Sequence, residues 1–553
     1  MTIDLPLTSP EKAQQYRAAG LWQDVALSER FLAQADRLAD KLAIIVSDRR
    51  VTYRELRRDI LSVASALLAE GFQPGDVIAG QLPNSYEIPV LHLACNTVGM
   101  LYMPLHDSWR ELEVGHLLAQ AKVKAIVSRQ VYRDFDFAEM IAQLRHELPE
   151  LKVHYLIGAG ESGDGVKQFN TLLAAEPLEE ARIVSLRPDA DYPAAVMLSG
   201  GTTAISKISR YSSNDLLTML KAAQDGAGFG ETDIAAALAP AGTGATGYVY
   251  PVLTPLLAGA TSVILPHWGD PKEAVDLIVK ERCTYVTAIP AQLIKLLPTL
   301  RLKSPNDFRQ LRVITNAGAP LPYEAAREVE ELTGAVIQSI YGATDAGTPT
   351  LTTVDDPREK RLGTVGRIVP GCECEIRDPD GNALPAGSVG EVTWRGADKS
   401  WGYLGADDQT KTVFTEDHFY KSGDLGQFDE EGYLKIVGRI KDMILRGGRN
   451  VSPLVIEEAL IKHPDIEDVA VASMPDPVLG ERACAFVIPR PGAELELAEL
   501  LEFLRGEGLA TWQLPERLEV MPDFPRSAGG KALKRSLTAM VTEKIKLEAT
   551  NGG

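Results

Sequence analysis

Cysteine is scarce, with five in 553 residues; so few cannot staple a chain of this size, and a disulfide framework of the secreted kind is excluded. Cys372 and Cys374 form a Cys-x-Cys pair on a predicted strand. No second pair or nearby histidine completes a zinc site, so both read as small buried hydrophobes. Basic charge is also in deficit. Lys and Arg number 57 against 76 Asp and Glu, a formal charge of −19, which argues against a nucleic-acid partner, whose phosphates need neutralising. The eight histidines, His92, His106 and His418 among them, fall in no His-x-x-x-His or Cys/His cluster, which favours packing and surface roles over metal ligation. No apolar run follows a basic start in residues 1–10, so no secretory signal is read. Residues 234–269 carry no charged side chain and are long enough to span a bilayer. Pro240, Pro251, Pro255 and Pro266, with Gly242, Gly244, Gly247 and Gly259, instead divide them into a strand end, a loop, a buried helix and a second strand. No integral membrane segment is expected.

What is present is an ordinary globular composition, 45% hydrophobic and 24% charged, with Gly and Pro in no fixed period. Disorder and fibrous folds are excluded, and the length suggests about three to five compact units. The chain reads as a cytoplasmic, enzyme-sized protein. Strands at 42–47, 77–81 and 125–127 alternate with helices at 52–70 and 88–98, the first opened by a Thr52-x-x-Glu55 capping box. The same rhythm continues through strands at 194–198, 262–265, 285–289, 313–316 and 335–340 and helices at 214–225 and 274–281. Strands alternating with helices imply parallel sheets with crossover helices. After Asp355 the pattern changes to short strands at 373–377, 390–394, 426–429 and 433–437, split by turn residues, as in a small antiparallel or barrel-like part. A last α+β unit follows, with helices at 453–462 and 497–507 and strands at 468–473, 483–488 and 517–520. The charged tail after Thr542 is expected to fray.

The chemistry concentrates in a few segments. Leu198-Ser199-Gly200-Gly201-Thr202-Thr203-Ala204-Ile205-Ser206-Lys207 packs glycines, hydroxyls and a lysine behind a strand. Glycines let backbone N–H groups approach a polyanion, hydroxyls donate, and lysine adds a point charge. It is not a Walker A loop, because no Gly precedes Lys207 and no Ser or Thr follows it. Asn316-Ala317-Gly318-Ala319-Pro320 and Tyr341-Gly342-Ala343-Thr344-Asp345 each follow a predicted strand. Tyr420-Lys421-Ser422-Gly423-Asp424 precedes Gly438-Arg439-Ile440-Lys441-Asp442, and Pro525-Arg526-Ser527-Ala528-Gly529-Gly530-Lys531 lies near the end.

This ordered series, from about Glu29 to Leu537, resembles the adenylate-forming (AMP-binding) superfamily of acyl- and aryl-CoA ligases, luciferases and peptide-synthetase adenylation domains. The resemblance implies an α/β fold. Its large N-terminal domain (1–438) would have two parallel sheets with crossover helices to about 355 and a β-barrel-like subdomain over 356–438. A hinge (439–445) and a small mobile α+β cap domain (446–553) would follow. It also implies ATP, Mg²⁺ and CoA as cofactors and a two-step reaction, in which a carboxylate becomes acyl-AMP with release of pyrophosphate and a thiol then takes the acyl group. Thr202, Thr203 and Lys207 would hold the β/γ-phosphates. Gly318, Ala319 and Pro320 would shape the adenine slot, with Tyr341 on the base. Thr344 would bond the α-phosphate and Asp345 would orient Mg²⁺. Asp424 would accept from the ribose hydroxyls, with Arg439 beside it. Lys531 would bridge carboxylate and α-phosphate when the cap is closed. Rotation at Lys441 and Asp442, whose alternative role is a turn cap, would withdraw Lys531 and bring in the Gly447-Gly448 loop along the CoA path.

Departures from the family pattern are Ala204 and Ser206 for Gly and Pro, Asp345 for Glu, and Gly529 for Ser. They predict a slower but working enzyme. The acyl pocket is placed at Thr243, Gly244, Tyr248 and Gly342. The strand before it, Ile234-Ala235-Ala236-Ala237-Leu238, offers no carboxylate for an α-ammonium, which disfavours an amino acid. Small, uncharged side chains there predict a roomy pocket for a medium-chain, alicyclic or aromatic acid. The Gly-Ala-Thr-Gly and Arg-Gly-Gly-x-Asn stretches are similar to medium-chain and cyclohexanecarboxylate-CoA ligases, the Ser-Gly-Gly-Thr-Thr stretch to dihydroxybenzoate-AMP ligases. Two alternatives stand beside the CoA ligase: an acyl-AMP ligase loading a carrier protein, and a non-catalytic nucleotide binder. A homodimer is left open as the assembly.

Overall fold

The computed structural model describes residues 8–158, 163–199, 206–400, 402–526 and 530–551. Two sheets of the large unit sandwich helices between them. The larger has nine strands in the order Arg367–Ile368, Gly347–Leu351, Val336–Ala343, Val313–Ala317, Tyr285–Ala288, Ile234–Ala237, Thr261–Ile264, Leu42–Val46 and Arg49–Thr52. The central run from Val336–Ala343 to Leu42–Val46 is parallel, and the flanking strands are antiparallel. The second sheet, ordered Leu101–Leu105, Val77–Gln81, Ala125–Arg129, Val153–Ile157 and Val166–Gln168, is parallel throughout. Helix Glu87–Thr97 is buried on every side except at Glu87, as a helix held between two apolar layers must be. Tyr53–Ala69 starts at the capping box read from the sequence: Thr52 Oγ accepts from Glu55 N–H and the Glu55 carboxylate accepts from Thr52 N–H.

One strand of the expected parallel rhythm belongs elsewhere. Pro193–Ser199 pairs antiparallel with Lys207–Ser212 as a hairpin. The short Gly/Thr-rich link between them permits a hairpin but no crossover helix, and Lys207–Ser212, with Lys207, Ser209, Arg210 and Ser212 among its six residues, gave no hydrophobic run to read. The segment 234–269 resolves into strand Ile234–Ala237, a π-helix Ala245–Leu253, helix Thr254–Ala258 and strand Thr261–Ile264. Among the described residues no helix is long and apolar enough to cross a membrane.

Cys372–Arg377, Gly390–Gly396, Tyr420–Phe428 and Leu434–Arg439 make the expected antiparallel part, packed around Trp394, whose indole N–H donates to Ala346 O at 2.8 Å. All five cysteines are free thiols.

The terminal unit orders Arg449–Val451, Ile444–Arg446, Gly480–Pro489 and Ile466–Asp476, with Arg517–Val520 also on Gly480–Pro489. Strand alternation sends Ala470, Ala472, Met474, Cys484 and Phe486 to one face, under helix Lys534–Asn551. Val471, Ala483, Ala485 and Val487 point to the other, under Pro453–Leu460 and Leu497–Gly506. The expected fraying after Thr542 is corrected: the last helix runs to Asn551, tied to the sheet by Lys544–Glu519 and Arg517–Glu548 ion pairs, each 2.6 Å. Those partners lie on a distant strand, so the tail sequence alone did not reveal them.

Candidate active site

Parallel strands end together at one edge of the nine-stranded sheet, and open α/β sheets bind ligands in the crevice outside such an edge. Gly318 follows Val313–Ala317, Thr344 and Asp345 follow Val336–Ala343, Ile289 follows Tyr285–Ala288, and the segment to Gly244 follows Ile234–Ala237. Gly318 has φ +93°, and a Cβ there would lie 3.8 Å from Ile289 and 3.9 Å from Thr246. A Cβ on Gly244 would come within 4.0 Å of the Thr344 methyl. The adenine-slot, α-phosphate and acyl-pocket candidates therefore border one crevice.

Asp345 is held by three hydroxyls. Ser209 donates to Oδ1 at 3.2 Å, and Tyr403 and Tyr420 donate to Oδ2 at 2.9 and 3.4 Å. Ser400 Oγ donates to its backbone carbonyl, and Tyr211 donates to Thr344 O at 2.9 Å. Lys207 opens the hairpin's second strand, its ammonium 4.5 Å from the Tyr403 ring centre and 3.4 Å from that hydroxyl. A carboxylate ringed by hydroxyls, beside a lysine, is a hard oxygen donor set that suits Mg²⁺ completed by phosphate oxygens and water.

Asp424 receives Tyr341 O–H on Oδ2 at 2.8 Å and the Arg439 guanidinium on Oδ1 at 2.7 Å. A carboxylate offers about four lone-pair sites, so both oxygens keep acceptor capacity. Burial, then the Asp424 charge, pushes the Tyr341 phenol well above its ordinary range.

Lys531 comes from the terminal unit. Gly530 before it has φ +79°, and a Cβ there would meet Ile289 at 2.9 Å, so this loop is seated on the large unit. Lys531 is exposed. Enclosure by the surrounding protein lowers its pKa, Arg439 lowers it further, and Asp424 and Asp442 oppose. Two units thus bring Lys531, Arg439 and Asp424 to one place.

The remaining candidates are placed as follows. Lys441 and Asp442 occupy a 3₁₀ turn, Ile440–Asp442, between the last strand of the large unit and Ile444–Arg446. Ile444 is already in the terminal core. Gly447 and Gly448 turn between Ile444–Arg446 and Arg449–Val451 with φ +55° and +81°. That loop faces its own unit: Gly447 N–H donates to Leu479 O at 2.8 Å, Arg446 pairs with Glu516 at 2.5 Å, and Arg449 lies over Trp512. A Cβ on Gly342 would sit 2.3 Å from Gly347 O, so its bare backbone permits the close hairpin with Gly347–Leu351. Tyr248 is buried, its hydroxyl bonded to His92 Nδ1 at 2.8 Å. Tyr248 lines a cavity of about 10 Å³ with Ser85, Ile88, Pro89, Val252 and Ile264, which holds at most one water; the roomy pocket expected here is corrected, because the large side chains Tyr248, Val252, Ile88 and Ile264 fill the space. Thr243 Oγ donates to Pro240 O at 2.6 Å. Ala319 and Pro320 continue the turn after Gly318. Thr202, Thr203, Ala204 and Gly529 lie outside the described residues.

Sequence reasoning passed over Ser209 and Tyr403, because isolated hydroxyls on separate segments make no motif, and it quoted Tyr420 within a motif without giving it a role. It also passed over the buried neighbours Asp398 and Lys399. Burial pushes the Asp398 carboxyl up to about 7, against the Thr348 N–H bond that favours its anion. The Lys399 ammonium is pushed down to about 8 by burial, with Asp215 opposing. His463, Asp465 and Glu499 place ligand atoms within 4.8 Å of one another on the terminal unit; the first two lie in a turn and Glu499 on helix Leu497–Gly506, so spacing gave no sign of it.

Along nearly its whole length the chain is similar to known enzymes. The family model of AMP-binding enzymes matches residues 31–404, and that of their C-terminal domain matches 455–531. The medium-chain fatty-acid–CoA ligase of Escherichia coli (strain K12) is 31% identical, covering 99% of this chain and 97% of that enzyme. The 2,3-dihydroxybenzoate-AMP ligase of Bacillus subtilis (strain 168) is 32% identical over 97% of each chain. ATP-bound MatB from Rhodopseudomonas palustris superposes with a TM-score of 0.84 at 28% identity, covering 94% of this chain and 99% of that one. The chain belongs to the AMP-binding, adenylate-forming enzyme superfamily and is an adenylate-forming ligase.

Proposed function

We propose that the protein activates an uncharged, apolar carboxylic acid with ATP, giving acyl-AMP and pyrophosphate, and transfers the acyl group to the thiol of CoA. The observation that carries this reading is the Gly530-Lys531 loop of the terminal unit, seated against Ile289 of the large unit, with Lys531 within electrostatic reach of Asp424 and Arg439. Attack of a carboxylate on a phosphate brings two anions together, and a positioned ammonium between them stabilises the charge that develops. In this scheme Asp424 accepts from the ribose hydroxyls while Tyr341 and Arg439 fix its carboxylate. Thr344 donates to the α-phosphate, and Lys207 with Thr202 and Thr203 grips the β/γ-phosphates. Asp345 holds Mg²⁺, which when bound neutralises phosphate charge. Gly244 beside Thr344 leaves space for the carboxyl end of the acid. The acid's class, medium-chain, alicyclic or aromatic, is left to the experiment below.

Rotation about Lys441 and Asp442 then withdraws Lys531 and turns the Gly447-Gly448 loop toward the crevice for the thiol. Loading of a carrier protein is the second reading, favoured by the 32% identity to an aryl-AMP ligase. Trapping the acyl-AMP with hydroxylamine across a panel of acids, with ATP and Mg²⁺, identifies the acid. The same panel with free CoA decides the acceptor: thioester formation supports CoA, and hydroxamate without thioester supports a carrier protein. Neither product from any acid removes the catalytic reading and leaves a nucleotide binder.

A further inference from the structure

Tyr403 is 1% exposed and uses ring and hydroxyl for different partners. The ring carries the Lys207 ammonium at 4.5 Å. The hydroxyl donates its one hydrogen to Asp345 Oδ2 at 2.9 Å and accepts from Lys207 at 3.4 Å. An ammonium only donates and a carboxylate only accepts, so the polarity of the relay Lys207→Tyr403→Asp345 is fixed. The backbone keeps these groups in register. Ser209 and Tyr403 form an antiparallel bridge, Leu404 N–H donates to Ile208 O at 2.8 Å, and Tyr403 N–H donates to Thr410 Oγ at 3.0 Å. Ser209, two residues beyond Lys207, holds the other oxygen of Asp345.

We infer that Tyr403 is a positioning residue for Mg·ATP, readying the phosphate-binding lysine and the metal-binding carboxylate together; the inference rests on the adenylation reading. Before nucleotide arrives, the phenol ring parks Lys207 next to the position the phosphates take. Its hydroxyl and that of Ser209 fix both oxygens of Asp345, whose single methylene gives it little reach of its own. When the polyphosphate draws Lys207 away, the O–H bond to Asp345 persists, so the carboxylate stays aimed.

Tyr403→Phe in the full chain keeps the ring and removes the hydroxyl. Calorimetry is expected to give a Mg·ATP dissociation constant raised about tenfold, the size of a lost hydrogen bond to a charged group. The KM for the acid should stay within about twofold, since the acid makes none of these contacts. In an Asp345→Ala background the same change should cost little, because the partner is gone. Wild-type affinity in Tyr403→Phe, or a loss of equal size in both backgrounds, would overturn the inference. Ser209→Ala gives a second handle that leaves the buried ring intact: Mg·ATP should weaken there, and again only when Asp345 is present. A wild-type protein that binds no Mg·ATP contradicts the adenylation reading itself. One that binds it, with Tyr403→Phe and Ser209→Ala unaltered, contradicts only the role of Tyr403.

Discussion

Asp424 shows how one side chain is prepared before its ligand arrives. Tyr341 and Arg439 each take one oxygen, so the carboxylate cannot rotate and its free lone pairs have a set direction. Asp424→Ala should raise the KM for ATP at least tenfold, the cost of losing hydrogen bonds to a charged acceptor, with little change in the acid's KM. Asp398 gives a pH prediction of a different kind. Its folded pKa of about 7 lies above the ordinary 3.8, so between those values the folded state binds the extra proton. Stability linked to this group is complete below about pH 4 and declines as pH rises through 7. Asp398→Asn mimics the protonated form and should flatten that decline, gaining roughly 4 kcal/mol relative to wild type at pH 8. Equal pH slopes in urea unfolding of the two proteins would refute it. Motif residues such as Asp424 and Lys531 were legible because several types recur in a fixed order. Tyr403, Ser209 and Asp398 were not, since their partners are distant in sequence and only the tertiary fold brings them together.

Elements were legible wherever one local rule decided them. The capping box at Thr52 and Glu55 fixed the start of Tyr53–Ala69, and Thr52→Ala should destabilise the large unit by about 1 kcal/mol, measured by denaturant titration. Val77–Gln81 and Arg517–Val520 match their sequence readings because apolar residues or alternation stop at turn signals. Where polar residues line a strand, as in Lys207–Ser212, the pattern fell silent. The π-helix Ala245–Leu253 was readable only as a buried helix. Pro251 removes a backbone donor inside it, and wider π turns of this kind often accompany functional sites.

At the scale of the molecule, the proposed site belongs to neither unit alone. The large unit supplies Asp345, Asp424 and Arg439, and the terminal unit supplies Lys531, with the 3₁₀ turn at Ile440–Asp442 as the covalent link. If rotation there exchanges the two half-reactions, Asp442→Pro, which fixes φ at that position, should leave pyrophosphate release within about threefold while thioester formation falls about a hundredfold. Equal slowing of both steps would argue for a plain turn cap. Sequence order indicated that two units exist, but not that Gly530 seats against Ile289 in the resting arrangement, because that contact joins distant segments. The most direct test of the central claim is the single-turnover rate of acyl-AMP formation in Lys531→Ala, with Mg·ATP binding measured alongside. The rate should fall at least a hundredfold while nucleotide affinity stays within a few-fold, whereas an unchanged rate would contradict the claim that the terminal unit delivers the catalytic cation.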